Sequence, residues 1–375
     1  MGDRRVRAGV VGTGWWAELE HLPGLESRGD VELAALCGRN PARLAELADR
    51  FKVPGRFADW RDMLARARLD LVVIVTPNAL HHPVALAAIA AGAHVISEKP
   101  LALDAAQARE MAARAEAAGR QTLTFFTHRA LAAAAQVKRL VGEGFLGRPL
   151  HVSACYFSAS HLKPDKPAAW RMRRAEAGTG VLGDIGSHLV DLVRWWLGDF
   201  TRVAAQWQTV QRARAGEAVD GDEDCSFLAQ LACGAQGVFQ ASKLVAGRGN
   251  WQRVELHGDR GSLVYEAEPG VDATWEGRLL AGRPERTGLE PVALPCELTA
   301  GLDAPDNLAG RLAAYRRLTD PFLAAIRGGP PGHPDFGDGA AVQAVLDAVA
   351  ASAEQGTWVD VWPTGESRAL RSPRA

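Results

Sequence analysis

Near its start the chain reads Val6-Arg7-Ala8-Gly9-Val10-Val11-Gly12-Thr13-Gly14-Trp15-Trp16-Ala17. A short apolar run ends in a glycine turn of spacing G-x-G-x-x-A, and a helix-forming stretch follows. Each position has a physical reason. Gly12 permits the tight turn, and Gly14 lets backbone N–H groups approach a pyrophosphate. Ala17 allows close helix–strand packing, and the helix N-terminus adds partial positive charge. Two glycines in a loop are a weak signal alone. Here they lie after a strand and before a helix, the context that dinucleotide binding requires.

Outward from that turn, β-rich runs alternate with Ala/Arg/Leu-rich helical stretches. The strands expected are Val6–Val11, Val31–Cys37, Leu71–Thr76, His94–Ser97 and Gln121–Phe126. Helices are expected near Trp15–Arg28, Pro41–Phe51, Trp60–Ala67, Pro83–Ala91 and Asp104–Ala118. Unbroken apolar strands alternating with helices predict a parallel sheet covered on both faces. Past about residue 128 the pattern changes. A strand at Pro149–Phe157 and a helix at Gly183–Leu197 precede a strand-rich region over 201–265, with a hairpin turn at Gly258-Asp259-Arg260-Gly261. Residues 267–305 read as a long excursion, and Leu312–Arg327 and Gly339–Glu354 as helices. The expected division is a Rossmann dinucleotide-binding domain over 1–128 and a substrate-binding and oligomerisation domain over 129–375.

Composition narrows the function classes. The chain has 375 residues, 47% hydrophobic and 23% charged, with a formal net charge of −1. That is core-forming and excludes disorder. With no global basic field, nucleic acid and anionic membranes are not expected partners. Five cysteines without a CxxC pair or a His cluster give no metal site or disulfide framework. No apolar run reaches membrane-spanning length, so a cytoplasmic location is expected.

Candidate site residues fall at strand ends and on one helix. At the end of the second strand Gly38-Arg39 stands where an acid would bind a ribose 2′-hydroxyl. Arg39 suits a 2′-phosphate, which favours NADP over NAD, unless it is a solvated surface Arg. Thr76, Asn78 and His81 close one strand, and Glu98-Lys99-Pro100 follows the next. Lys99 is one of only six lysines and lies where open α/β sheets bind ligands. Its ammonium suits polarisation of a hydroxyl or carbonyl; the plain alternative is a surface lysine. Asp184, His188 and Asp191 follow at spacings of four and three, which places them on one helix face. An imidazole beside a carboxylate suits general acid/base work, or else the three are a cap, a packed histidine and a salt-bridge member.

Taken together, Gly12–Ala17, Thr76–His81, Glu98-Lys99-Pro100, Trp170-Arg171 and Gly178–Asp191 resemble the glucose–fructose oxidoreductase / inositol dehydrogenase (Gfo/Idh/MocA) family. The closing pattern Asp335–Gly339 and Trp358–Val361 agrees, so the resemblance covers nearly the whole chain. It implies an α/β protein: an N-terminal Rossmann domain plus a C-terminal α/β domain with a large open, predominantly antiparallel sheet. It also implies NAD(P)-linked hydride transfer to or from a sugar, polyol or related alcohol, and association as a homodimer or homotetramer. Carried over by residue, it makes Lys99, Asp184 and His188 catalytic. Gly12, Thr13, Gly14, Trp15, Trp16, Gly38, Arg39, Thr76, Asn78, His81, Glu98 and Lys99 are the expected cofactor contacts. Arg129, Trp170 and Arg171 join Lys99, Asp184 and His188 as substrate contacts, with His128 a weaker candidate. The other readings are an NAD-dependent glycoside hydrolase or lyase with transient redox, a non-catalytic NAD(P)-binding sensor, and reduction of an imine.

Overall fold

The computed structural model describes residues 4–163, 165–268, 277–300 and 307–361. The chain divides into two compact units, Met1–Phe125 with Arg311–Ala340, and Phe126–Gly310 with Ala341–Ala375.

The first unit holds β1 (Val6–Val11), β2 (Val31–Cys37), β3 (Gly55–Phe57), β4 (Leu71–Ile74), β5 (His94–Ser97) and β6 (Thr122–Thr124). They form one parallel sheet in the order β3-β2-β1-β4-β5-β6. Its helices are α1 (Leu22–Glu26), α2 (Pro41–Arg50), α3 (Trp60–Arg66), α4 (His81–Ala90) and α5 (Ala105–Ala117). Local chemistry starts two of them. Asn40 accepts from the Arg43 N–H before Pro41, and Asp104 accepts from the Gln107 N–H, each satisfying an orphan donor of a first turn. The apolar runs are buried strands: Val11, Val72, Ile74 and Val95 are buried, and Val84, Ala88, Ala108 and Met111 of α4 and α5 pack in the same core.

The sequence reading missed β3, three residues without an apolar run. The helix expected over Trp15–Arg28 is a wide π-type turn, Ala17–His21, followed by α1.

The second unit begins with α6 (Ala132–Gly142) and β7 (Pro149–Phe157), then α7 (Arg174–Ala177) and α8 (Ser187–Leu197). Strands β8 (Phe200–Gln208), β9 (Ala213–Arg214), β10 (Glu217–Ala218), β11 (Asp224–Leu231), β12 (Gln236–Ser242), β13 (Trp251–Gly258) and β14 (Ser262–Ala267) follow. Beyond them lie β15 (Arg278–Gly282), β16 (Glu290–Pro291), α9 (Cys296–Thr299) and, near the C-terminus, β17 (Val359–Asp360). Nine strands form one sheet in the order β16-β15-β14-β13-β7-β12-β11-β8-β17. Only β7 and β12 pair in parallel; the other neighbours are antiparallel. Phe200, Phe227 and Phe239 pack on the covered face, with ring centroids 5.4 and 4.7 Å apart. Within the excursion read at 267–305, β15 and β16 extend the sheet; residues 269–276 and 301–306 lie outside the described residues.

Helix α10 (Asn307–Ile326) and the start of α11 (Phe336–Gln355) belong largely to the first unit. Tyr315 meets Phe125 at 5.2 Å between ring centroids, and Arg327 pairs with Asp30 at 3.0 Å. The sequence reading had placed this segment with residues 129–375.

Candidate functional site

In the first unit the glycine turn follows β1 directly. Gly12 has φ +126°, and a Cβ there would meet the Val75 carbonyl oxygen at 2.2 Å, so only glycine fits. Gly14 is different. A Cβ there would meet nothing within 4 Å, so no protein atom explains the glycine. The N–H groups of Thr13 and Gly14 donate to no acceptor among the described residues. Free amides beside open space at a helix start fit a pyrophosphate. Ala17 is fully buried, as close helix–strand packing requires. Gly38 lies tight against Thr13, and Arg39 beside it is exposed, with no ion pair among the described residues. These residues therefore fit a nicotinamide dinucleotide.

Glu98 is a buried anchor. Its Oε1 accepts from Trp16 Nε1 at 2.7 Å and lies 2.8 Å from His21 Nε2, while Oε2 accepts from the Lys99 N–H at 3.3 Å. Burial pushes its carboxyl up, but His21, the Lys99 ammonium and Trp16 together hold it below the usual carboxylate range. Glu98 and the Trp16 ring nitrogen, both expected among the cofactor contacts, tie the end of β5 to the glycine turn. The sequence reading missed this network, because residues 77 and 82 positions apart share no local pattern.

His81, also expected at the cofactor, is fully buried, and its two ring nitrogens lie 3.0 Å from the Pro100 and Thr76 carbonyls. It clamps the loops after β4 and β5 and has no face for a ligand. Burial holds its imidazole below the usual histidine range. Asn78 is buried in the short turn Asn78–Leu80 that follows β4 and leads into α4.

In the second unit Asp184 lies in a wide π-type turn, Leu182–Gly186, that leads into α8. Asp222 holds this turn: it accepts from the Gly180 and Leu182 N–H groups at 2.5 and 2.7 Å. Ile185, Leu189, Leu192 and Trp196 are buried, as the helix pattern predicts. His188 is buried, and its ring stacks on His128 with centroids 3.8 Å apart and planes 19° apart. Asp184 pairs with Lys243 and lies 3.4 Å from Arg171 Nε, while Arg171 sits over the Trp170 ring at 4.2 Å. Trp170, Arg171 and Asp184 thus come together as expected.

Arg129, expected at the substrate site, is half of a buried ion pair: Nε and Nη2 donate to both Asp191 oxygens at 2.6–3.1 Å. Asp191, three positions on from His188, has its carboxylate engaged in this buried ion pair. Conversely, the sequence reading assigned no role to Lys243. The signal available was scarcity, since six lysines in 375 residues make each one worth locating.

A parallel sheet with this glycine turn, joined in one chain to a unit that has a large mixed sheet and whose π-type turn and helix α8 carry Asp184 and His188, defines a two-unit NAD(P)-dependent oxidoreductase. Comparison with known proteins makes the class specific. Residues 6–126 match the model of the oxidoreductase family with an NAD-binding Rossmann fold, and residues 134–264 match the GFO/IDH/MocA C-terminal domain. The chain belongs to the Gfo/Idh/MocA oxidoreductase family. It is 31% identical to levoglucosan dehydrogenase of Pseudarthrobacter phenanthrenivorans over 86% of this chain and 87% of that one. It is 28% identical to D-apiose dehydrogenase of Paraburkholderia graminis over 71% and 73% of the respective chains. Among solved structures, an oxidoreductase domain protein from Kribbella flavida superposes with a TM-score of 0.86 at 31% identity, covering 96% of this chain and all of that one. Levoglucosan dehydrogenase in complex with NADH gives 0.84 at 28%, with the same coverage. Among the described residues no helix is long and apolar enough to cross a membrane.

Proposed function

We propose that the protein oxidises a carbinol carbon of a sugar or polyol, or reduces the corresponding carbonyl. A bound nicotinamide dinucleotide supplies the hydride acceptor or donor. His188 takes the hydroxyl proton in the oxidative direction and returns it in reduction. Lys99, beyond β5 in the first unit, is proposed as the cation that stabilises developing alkoxide charge. Asp184 orients the substrate hydroxyl, and Trp170 and Arg171 flank it. The observation that carries this reading is the open, amide-lined space at Gly14 in a chain that also holds Asp184 and His188 at one turn. Family membership and sugar-dehydrogenase relatives support it.

The reading takes NADP as the preferred cofactor. Exposed Arg39, without an ion pair among the described residues and with no carboxylate beside it, supports that choice. A homodimer or homotetramer is also proposed. Leu228 and Val238, directly paired across β11 and β12, are 47% and 41% exposed on the outer sheet face. Light scattering on the purified protein measures the assembly. A cytoplasmic location is proposed on the five free thiols, which suit a reducing compartment.

Turnover of a sugar and polyol panel with saturating NADP⁺ or NAD⁺ tests the reaction. His188→Ala should lower kcat by about 10²–10⁴-fold and leave the dinucleotide Kd unchanged. Unchanged turnover would remove His188 from the scheme.

A further inference from the structure

The first unit has a cavity of about 690 Å³ at the end of its sheet opposite the glycine turn. It is lined by residues at or just before the starts of β1, β4 and β5, three neighbouring strands. Half-buried Leu64 and Leu69 give it an apolar wall. Arg4, Arg7, Arg66 and Arg68 also line it, with Asp70 as the single acid among the described residues. Both Asp70 oxygens are engaged: Oδ1 accepts from Arg4 Nη2 at 2.6 Å and Oδ2 from the Arg7 N–H at 2.8 Å. The Arg7 guanidinium is committed to Glu32 at 2.7 Å and to the Ala67 and Arg68 carbonyls at 3.2 and 3.1 Å. Arg66 closes α3, where a cation suits the carbonyl end of a helix. Arg68 is exposed and has no acid partner among the described residues.

Arg68 also has φ +48°, in the left-handed region that favours glycine. Arg7 holds this turn through the two carbonyls, so the conformation is fixed from within the fold. A glycine would meet the backbone requirement at lower cost, so the conformation does not account for an arginine there, and no ion pair does either. What remains is the cavity that Arg68 lines. The geometry points to a second ligand site here, for a small molecule with an apolar body and an oxyanion, a carboxylate or a phosphate. Leu64 and Leu69 take the apolar body, and the Arg68 guanidinium, a planar fork, takes the oxyanion, with Arg4 and Arg66 adding positive charge. Coenzymes of open α/β sheets bind beyond the carboxyl ends of the strands, and this cavity lies at their amino ends. The site is therefore separate from the dinucleotide turn and does not depend on the roles given to Asp184 and His188.

The test uses three probes with one ring and different heads: phenyl phosphate, benzoate and benzyl alcohol. Binding of each is measured by calorimetry on the intact protein, with saturating NADP⁺ in one series and NAD⁺ in another, so that the glycine turn is filled. One anionic probe should bind at least about tenfold more tightly than benzyl alcohol, as expected for a charge-assisted contact. The phosphate and carboxylate arms tell which oxyanion is taken. Arg68→Gln should bring the anionic-to-neutral ratio toward one, and Arg68→Lys should retain part of it. Arg68→Gly suits the backbone and should fold as stably as wild type in a thermal scan, so binding lost in it is not lost structure. Salt at 0.5 M should lower the ratio, as ionic screening at an exposed site requires. The dinucleotide Kd should be the same in all three variants, because the glycine turn lies at the other end of β1. Benzyl alcohol binding as tightly as both anions, or a ratio unchanged in Arg68→Gln and Arg68→Gly, overturns the inference. So does a parallel loss of dinucleotide affinity, which would mark general damage to the unit.

Discussion

Replacing Arg129 with Met separates two roles that the residue could have. The guanidinium and Asp191 are both almost fully buried, with side-chain exposures of 6% and 1%, and three nitrogen–oxygen contacts of 2.6–3.1 Å join them. Removing one partner leaves an uncompensated buried charge, which costs about 3–5 kcal/mol. For a unit of this size that is ~6–20 °C in Tm, at roughly 2–4 °C per kcal/mol. Met keeps most of the apolar stem that packs beneath Trp195, whose ring centre lies 5.4 Å from the guanidinium carbon, so the loss reports the charge more than the packing. The double variant Arg129→Met/Asp191→Leu should recover most of the stability, because burying neither charge removes the desolvation penalty. Urea and thermal unfolding of the two single variants and the double variant form a closed cycle. The coupling should be large and of restoring sign. An Arg129→Met protein that unfolds within about 0.5 kcal/mol of wild type, yet has lost kcat/KM, would refute this account and return Arg129 to the substrate site.

Three further predictions follow from single features of the first unit. Gly14→Ala should leave the unfolding midpoint nearly unchanged, since its Cβ enters open space, while raising the dinucleotide Kd at least about tenfold; Gly12→Ala, with its Cβ against the Val75 carbonyl and φ at +126°, should instead lower Tm sharply in a thermal scan. Arg39→Ala should raise KM for NADP⁺ and leave KM for NAD⁺ close to wild type, and steady-state kinetics with both cofactors would expose an NAD preference in the native chain. Glu20 is buried, and burial, then Glu98, push its carboxyl up to about 8 against the pull of Arg311. Its folded state therefore holds a proton that the unfolded state releases near pH 4.3, so stability falls as pH rises from there toward 8. Glu20→Gln should flatten that decline when urea midpoints are measured at pH 5, 7 and 9.

What the sequence by itself determined is what neighbours along the chain enforce. The strands at Val6–Val11, Val31–Cys37, His94–Ser97 and Pro149–Phe157 have the bounds read from their apolar runs. The turn at Gly12 and Gly14 is a matter of φ and of space for one Cβ, so its dinucleotide chemistry was legible as well. The Gly258–Gly261 hairpin closes as read, with the Gly258 N–H donating to Gly261. Tertiary structure alone settled how distant charges are spent. Arg129 and Asp191 are 62 positions apart, Lys243 and Asp184 are 59 apart, and Glu98 meets His21 across 77. Nothing in a local period says whether such a group faces water, an ion partner or a ligand. That choice is made by burial: a charge leaving water takes whichever partner the packed chain presents. For the same reason residues 311–340 joined the first unit, drawn by Tyr315 and Arg327 to Phe125 and Asp30, which their own helical pattern does not name.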